Sequence, residues 1–300
     1  RALRALPEPH RKRPIDPLGS ILAVSAATAL MLGLTWAGER GGLVTLHVQS
    51  AFAVAILFVA AFVMHTRRAP EPMIPPRIIA NPVVRTGAQG NFFAYAGYLG
   101  VTVFAPFYFM ANLGLSPAQA GFAMVAPMIG AVLGANTAGR MMGKRDNYKA
   151  LGLTGLAVAV VASSVLAARA NMASFLEVEA LLLLIGVGAG AQNPISTVSV
   201  QNAVDPSDLG IATASVAFVR SLGGAFGVAS LGAVLIHYGL VRGLRVVGAE
   251  GEVAASDPRG FVIAFSLASA SFVLSGMCLA AMEQRPLRTV SSYDMRRRAG

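Results

Sequence analysis

Eight stretches of about 20 residues run through this chain with almost no charge in them, long enough for a helix rising 1.5 Å per residue to cross a hydrocarbon core of ~30 Å. They fall near Pro17–Ala37, Leu43–Met64, Ala88–Ala111, Ala118–Gly139, Ala150–Ala168, Ala180–Val200, Ile211–Ile236 and Phe261–Met282. Backbone groups in lipid must find partners within their own segment, and these runs lack the ten-residue alternation of a barrel strand, so helices are the remaining solution. The expected fold class is all-α, a polytopic membrane helix bundle. Composition agrees, with 55% hydrophobic and only 13% charged residues against about 25% charged in soluble domains.

The net charge of +10 does not form a nucleic-acid footprint, because the basic residues sit in short clusters between the apolar runs. Taken loop by loop, they set an orientation instead. Eighteen of the 24 Lys and Arg residues lie in alternate connections: the N-terminal segment, residues 65–87, residues 140–149 and the C-terminal tail. The other side carries five, and Arg220 lies within a span. The positive-inside rule then places both termini in the cytoplasm of a multi-pass cell (inner) membrane protein. Five segments follow: a basic cytoplasmic stretch (1–16), a helix pair (17–64), a Pro-rich cytoplasmic linker (65–87), a six-helix bundle (88–282) and a basic cytoplasmic tail (283–300). Five prolines within 65–87 end any continuous helix, and the piece around Ile74–Val84 is expected to lie in the headgroup layer. The chain opens Arg-Ala-Leu-Arg with no Met and no cleavable apolar segment, and so reads as part of something longer.

Catalytic machinery is not visible. The histidines, His10, His47, His65 and His237, fall in four separate places and make no HExxH pair. Neither a GxSxG elbow nor a P-loop is present, and the glycines of GVGAGAQNP (186–194) sit in an apolar span instead of after a soluble strand. A single cysteine, Cys278, excludes an intrachain disulfide and a CxxC metal site. The chain is therefore expected to be no enzyme and to hold no metal or cofactor.

Small residues at four-residue spacing, Gly130 with Gly134, Gly186 with Gly190 and Gly223 with Gly227, let helix backbones approach closely. Polar side chains enter two spans above all. The third carries Asn91, Tyr95 and Tyr98, and the sixth carries Gln192, Asn193 and Ser196 beside Pro194, a residue that breaks the helical ladder. Lipid rejects unsatisfied amides, so these helices face either a substrate path or partner helices. Arg220 is the basic residue well inside a span. If the seventh helix starts near Ile211, nine residues bury its Cα about 13 Å deep. Binding of acidic or polar groups, a gate, a structural ion pair with Asp205 or Asp208, and a snorkelling side chain are its possible roles. All fourteen acidic residues lie in loops or at span ends, with Glu177 and Glu179 nearest the interior.

The segment EPMIPPRIIANPVV followed by a polar-aromatic span resembles the linker before the last six helices of the 14-helix drug:proton antiporter family of the major facilitator superfamily. GVGAGAQNPISTVSVQNAV and GIATASVAFVRSLGGAFGVASLGAVL resemble the fourth and fifth helices of that C-terminal bundle, and residues 17–64 match the extra helix pair. The loop AGRMMGKRDNYKALG keeps Gly139, Arg140, Lys144 and Arg145 of the superfamily's cytoplasmic gating loop, with Gly143 where that loop carries an Asp. The resemblance implies a secondary active exporter of small hydrophobic or amphiphilic compounds, exchanging them for protons within membrane lipid. It also implies a partner six-helix bundle on the N-terminal side of this C-terminal portion. A transporter of one specific metabolite, lipid or polar solute and a non-transporting scaffold or sensor are the alternatives.

Overall fold

Prolines and short polar side chains set where the helices begin. In the computed structural model, which describes residues 16–39, 42–70, 72–142, 148–239 and 259–284, helix α1 (Pro17–Ala37) opens on Asp16, whose carboxylate accepts the Gly19 N–H at 2.8 Å. Pro17 sits in the first turn, where a missing N–H costs no helical bond. Helix α2 (Leu46–Arg68) ends in His65, Arg67 and Arg68, a cationic turn suited to the negative end of the helix dipole. A five-residue α3 (Pro76–Ala80) leads to α4 (Pro82–Leu113), where Asn81 caps the Val83 N–H at 3.0 Å. Helix α4 stops at Gly114, whose φ of 66° is the left-handed conformation that glycine adopts without strain. A Ser116–Gln119 capping box starts α5 (Pro117–Ala123), followed by α6 (Val125–Met142) and α7 (Tyr148–Ala168). The chain continues through α8 (Phe175–Ala203), α9 (Leu209–His237) and α10 (Arg259–Ala281).

Among the described residues, eight helical segments are long and apolar enough to cross a membrane, with α5 and α6 forming one of them. The protein is an all-α, multi-pass membrane bundle. Because successive spans alternate in direction, Arg67, Arg68, Arg77, Arg85, Arg140 and Lys149 share one end, called here the basic end.

Three local features refine the sequence reading. The fourth span bends at Met124, because Pro127 lacks the N–H that would donate to the Ala123 carbonyl one turn earlier. In contrast, α8 runs unbroken through Pro194 and α4 through Pro106, each losing one ladder bond inside an otherwise complete helix. The piece around Ile74–Val84 turns an apolar side to the bundle: Ile78 is buried in a cluster with Val84, Val200, Val204, Ala212 and Val216. Arg77 then reaches Asp208 at 2.8 Å, and the Asn81 amide donates to the Ala203 carbonyl at 2.9 Å.

Helices α4 and α8 are the most enclosed. Helix α4 packs on α9, α10 and α8, while α8 packs on α6 and α7, and α7 also meets α10. The α1–α2 pair joins this group through α1 against α9.

Candidate functional site

The closest helix contacts are those where glycine removes the side chain altogether. A Cβ on Gly130 or Gly134 of α6 would collide with the carbonyl oxygens of Leu183 and Val187 on α8. Reciprocally, one on Gly186 or Gly190 would collide with those of Pro127 and Ala131 on α6. Gly223 and Gly227 stand in the same relation to Phe92 and Ala96 of α4. These contacts fix the positions of α4, α6, α8 and α9, and the polar groups lie between them.

Ser196 Oγ donates to the Gly87 carbonyl at 2.8 Å, and Ser275 Oγ to the Gly90 carbonyl at 2.8 Å, so α8 and α10 each bond to α4 backbone. One turn farther from the basic end, Asn91 (fully buried) and Gln192 (1% exposed) leave both of their amide atoms without a hydrogen-bond partner among the described residues. Gln192 lies beside Gly90, where a Cβ would stand 3.0 Å from Nε2. Thus Asn91, Gln192 and Ser196 are enclosed between helices. Tyr95, Tyr98, Asn193 and Arg220 retain partial exposure.

Those four form one connected group. Arg220 Nη1 donates to Asn193 Oδ1 at 2.8 Å, and its Cζ lies 4.9 Å from the centre of the Tyr95 ring. Tyr95 and Tyr98 meet edge to face at 6.4 Å, and the Tyr98 hydroxyl donates to the Pro127 carbonyl over a long 3.4 Å. The group therefore links α9, α8, α4 and α6. Since α9 starts at Leu209, eleven residues place the Arg220 Cα about 16 Å from that end. Asp208, the local ion-pair candidate, is held by Arg77 instead, and no carboxylate among the described residues pairs with Arg220. A guanidinium has five N–H donors in a planar fork. One bond to an amide and one aromatic face hold the fork in place without neutralising it. Cation–π contact of this kind contributes about 0.5–2 kcal/mol.

Elsewhere the structure disperses the sequence candidates. Gly139 and Arg140 lie exposed near the end of α6, while Lys144 and Arg145 fall outside the described residues. Glu177 pairs with Arg169 at the far end of the bundle. Glu179, one turn into α8, has a buried Oε1 with no partner among the described residues. It borders a cavity of about 360 Å³ with Leu115, Gln119, Phe122, Ala123 and Phe175. No cluster of three metal-ligating side chains occurs among the described residues.

Sequence comparison gives this arrangement a family. The profile of the Major Facilitator Superfamily matches residues 87–279. An uncharacterized MFS-type transporter of Mycobacterium tuberculosis (strain ATCC 25618 / H37Rv) is 30% identical over 240 residues, a match covering 79% of this chain and 34% of the relative. The multidrug transporter protein MdtP of Bacillus subtilis (strain 168) is 27% identical over 73% of this chain and 40% of its own length. The tetracycline resistance determinant of Streptomyces rimosus is 24% identical over 74% of this chain and 65% of its own. The chain thus spans between a third and two-fifths of the first two of these relatives. With a family profile over well more than half of its residues, lying on an eight-span helical bundle, the chain belongs to the major facilitator superfamily.

Proposed function

We propose that this chain is the C-terminal portion of a secondary active exporter of small hydrophobic or amphiphilic compounds, driven by proton antiport and related to the 14-helix drug:proton antiporters. Residues 17–64 are the extra helix pair, residues 88–282 the C-terminal bundle, and a preceding six-helix bundle completes the transport path. Both described ends of the chain face the cytoplasm across the inner membrane. The names of two relatives, a multidrug transporter and a tetracycline resistance determinant, support export. Their greater length supports a partner bundle.

The observation that carries the reading is Arg220, held deep in α9 by Asn193 and Tyr95 with no paired carboxylate among the described residues. A fixed and unneutralised guanidinium beside two tyrosines binds an amphiphile by its polar group while the rings take its apolar body. Tyr98 extends the aromatic wall, and the buried Asn91, Gln192 and Ser196 lie behind it, Ser196 tying α8 to α4. Gly139, Arg140, Lys144 and Arg145 act as the cytoplasmic gating loop, and the six paired glycines let the helices shift as close-packed bodies. The same guanidinium also favours a second reading, export of one specific solute with a carboxylate or phosphate.

Transport of labelled compounds by the full-length protein in vesicles with an imposed pH gradient tests the proposal. Gradient-dependent movement of amphiphilic dyes supports multidrug antiport, and movement of organic anions alone supports the second reading. Thiol labelling tests the orientation in a Cys278→Ala background. Ser207→Cys is expected to react from the cytoplasm and Met172→Cys from outside, and the reverse pattern refutes the topology.

A further inference from the structure

Glycine contacts sort four helices into two pairs. Gly223 and Gly227 press α9 onto the Phe92 and Ala96 backbone of α4, and the glycines of α6 and α8 press those two helices together. Backbone on backbone leaves nothing between the partners that can rotate out of the way. The two pairs meet along α4 and α8, which are antiparallel spans, and there side chains make the contacts. Ser196 of α8 bonds to the Gly87 carbonyl of α4, Arg220 reaches from α9 to Asn193 on α8, and Tyr98 reaches from α4 to the Pro127 carbonyl on α6.

This seam encloses two amides. Asn91 follows Gly87 by one turn on the same face of α4, and Gln192 precedes Ser196 by one turn on the same face of α8. Asn91 is 0% and Gln192 1% exposed, and neither the oxygen nor the nitrogen of either amide has a hydrogen-bond partner among the described residues. Each amide offers two N–H donors and an acceptor oxygen. Buried serines of the same bundle differ, since Ser163, Ser196, Ser199 and Ser275 each bond to a carbonyl. Enclosed polar groups are rarely left unmatched, and leaving one so costs more than a typical hydrogen bond contributes. The seam thus holds its least favourable contacts at one level. That level adjoins Asn193 and lies one turn from Tyr95, both of them partly exposed.

We infer that the seam between α4 and α8 is a built-in opening device, in which the α4–α9 and α6–α8 pairs part as units at the level of Asn91 and Gln192, with the Ser196–Gly87 contact as the pivot. Closure leaves four amide atoms unmatched. Separation by the width of a water molecule lets solvent from beside Asn193 and Tyr95 hydrogen-bond them. The amides therefore weight the equilibrium toward the open seam, while the glycine contacts keep each pair whole. Opening also draws Arg220 away from Asn193, because the two sit on opposite pairs. This inference rests on the packing of the bundle and not on what is exported.

Cysteine accessibility in the full-length protein, in nanodiscs and in a Cys278→Ala background, provides the test. Ala94→Cys stands on the seam one turn beyond Gly90, and Ser163→Cys is equally buried on α7, off the seam. A small methanethiosulfonate reagent is expected to label Ala94→Cys and to leave Ser163→Cys unlabelled over the same time. Replacing both amides by apolar side chains of similar size, Asn91→Leu with Gln192→Met, removes the unmatched groups and keeps the seam filled. That double variant is expected to slow the labelling of Ala94→Cys about tenfold, the effect of one unmatched buried group. Should it fail to fold, the comparison of Ala94→Cys with Ser163→Cys decides alone. Equal labelling of the two positions overturns the inference. So does labelling of Ala94→Cys that ignores the double variant, because the amides are then already matched in the closed seam.

Discussion

The α1–α2 pair and the two central helices α4 and α8 are all apolar spans, yet only 17% of the pair's most apolar windows is buried inside the protein, against 44% for α4 and α8. The difference follows side-chain size and polarity. Where α4, α6, α8 and α9 meet, glycines face backbone carbonyls and serines donate across the gap. In the pair, Gly33 instead faces the Phe52 ring, and the main polar fastening is Asp16 at one end. Apolar content makes a segment compatible with lipid, but close contact between helices requires small residues and satisfied polar groups.

The most disruptive test replaces glycine in both regions. Gly227→Leu forces α4 and α9 apart at the Ala96 backbone, where nothing flexible can yield, and is expected to cost about 3 kcal/mol, the upper part of the overpacking range. Gly33→Leu meets only side chains, Phe52 at 3.3 Å and Ala51 at 3.4 Å, and is expected to cost well under half of that. Thermal unfolding in detergent checks both, and equal losses would erase the contrast.

A smaller effect is expected at Asp16. Burial alone raises the pKa of its carboxyl, but the Gly19 N–H, His65 and the Met73 N–H together outweigh burial and hold it below the usual carboxylate range. A lowered native pKa gives stabilisation that is fully present above the unfolded value of about 4 and is lost as pH falls through the native one. Contact between α1 and α2 should therefore loosen in acid below about pH 4, and Asp16→Ala, at a cost of about 1 kcal/mol for the lost cap, should loosen it at neutral pH as well. Distances between spin labels on the two helices report this. A separation that ignores pH in the native chain contradicts the role given to Asp16.

Smallest of the three is Ser275→Ala, which removes one hydroxyl bond to the Gly90 carbonyl while that carbonyl stays within its helix. About 0.5–1 kcal/mol is expected in the same unfolding measurement. A loss as large as that of Gly227→Leu would show that hydroxyl bonds, and not glycine contacts, hold the bundle.

Which features were legible in the sequence follows from how local their causes are. Span positions come from runs of apolar residues within one segment, and Arg220 stands out because lipid makes any charge conspicuous. The partner of Arg220 was not legible. Sequence proximity pointed to Asp205 and Asp208, but Asn193, 27 positions earlier, lies across a helix interface that only the packing of α8 on α9 creates. The Asp16–His65 contact and the docking of Ile78 beside Val200 and Val216 depend on tertiary packing in the same way. Pro127 and Pro194 show a further limit. The two prolines look alike in sequence, yet one accompanies a bend and the other sits in a continuous helix, because the surrounding helices decide whether a lost ladder bond becomes a kink.

Paired measurements on Arg220 address the central claim, that a fixed but unneutralised guanidinium serves transport. In the full-length protein, substrate uptake and melting temperature are measured on the same preparations of Arg220→Ala and Arg220→Lys. The account predicts that Ala abolishes uptake while expression and melting temperature stay near those of the native protein, and that Lys restores little because it lacks the planar fork that reaches Asn193 and a substrate together. Native uptake in Arg220→Ala, or loss of uptake that follows a large fall in melting temperature, would contradict it.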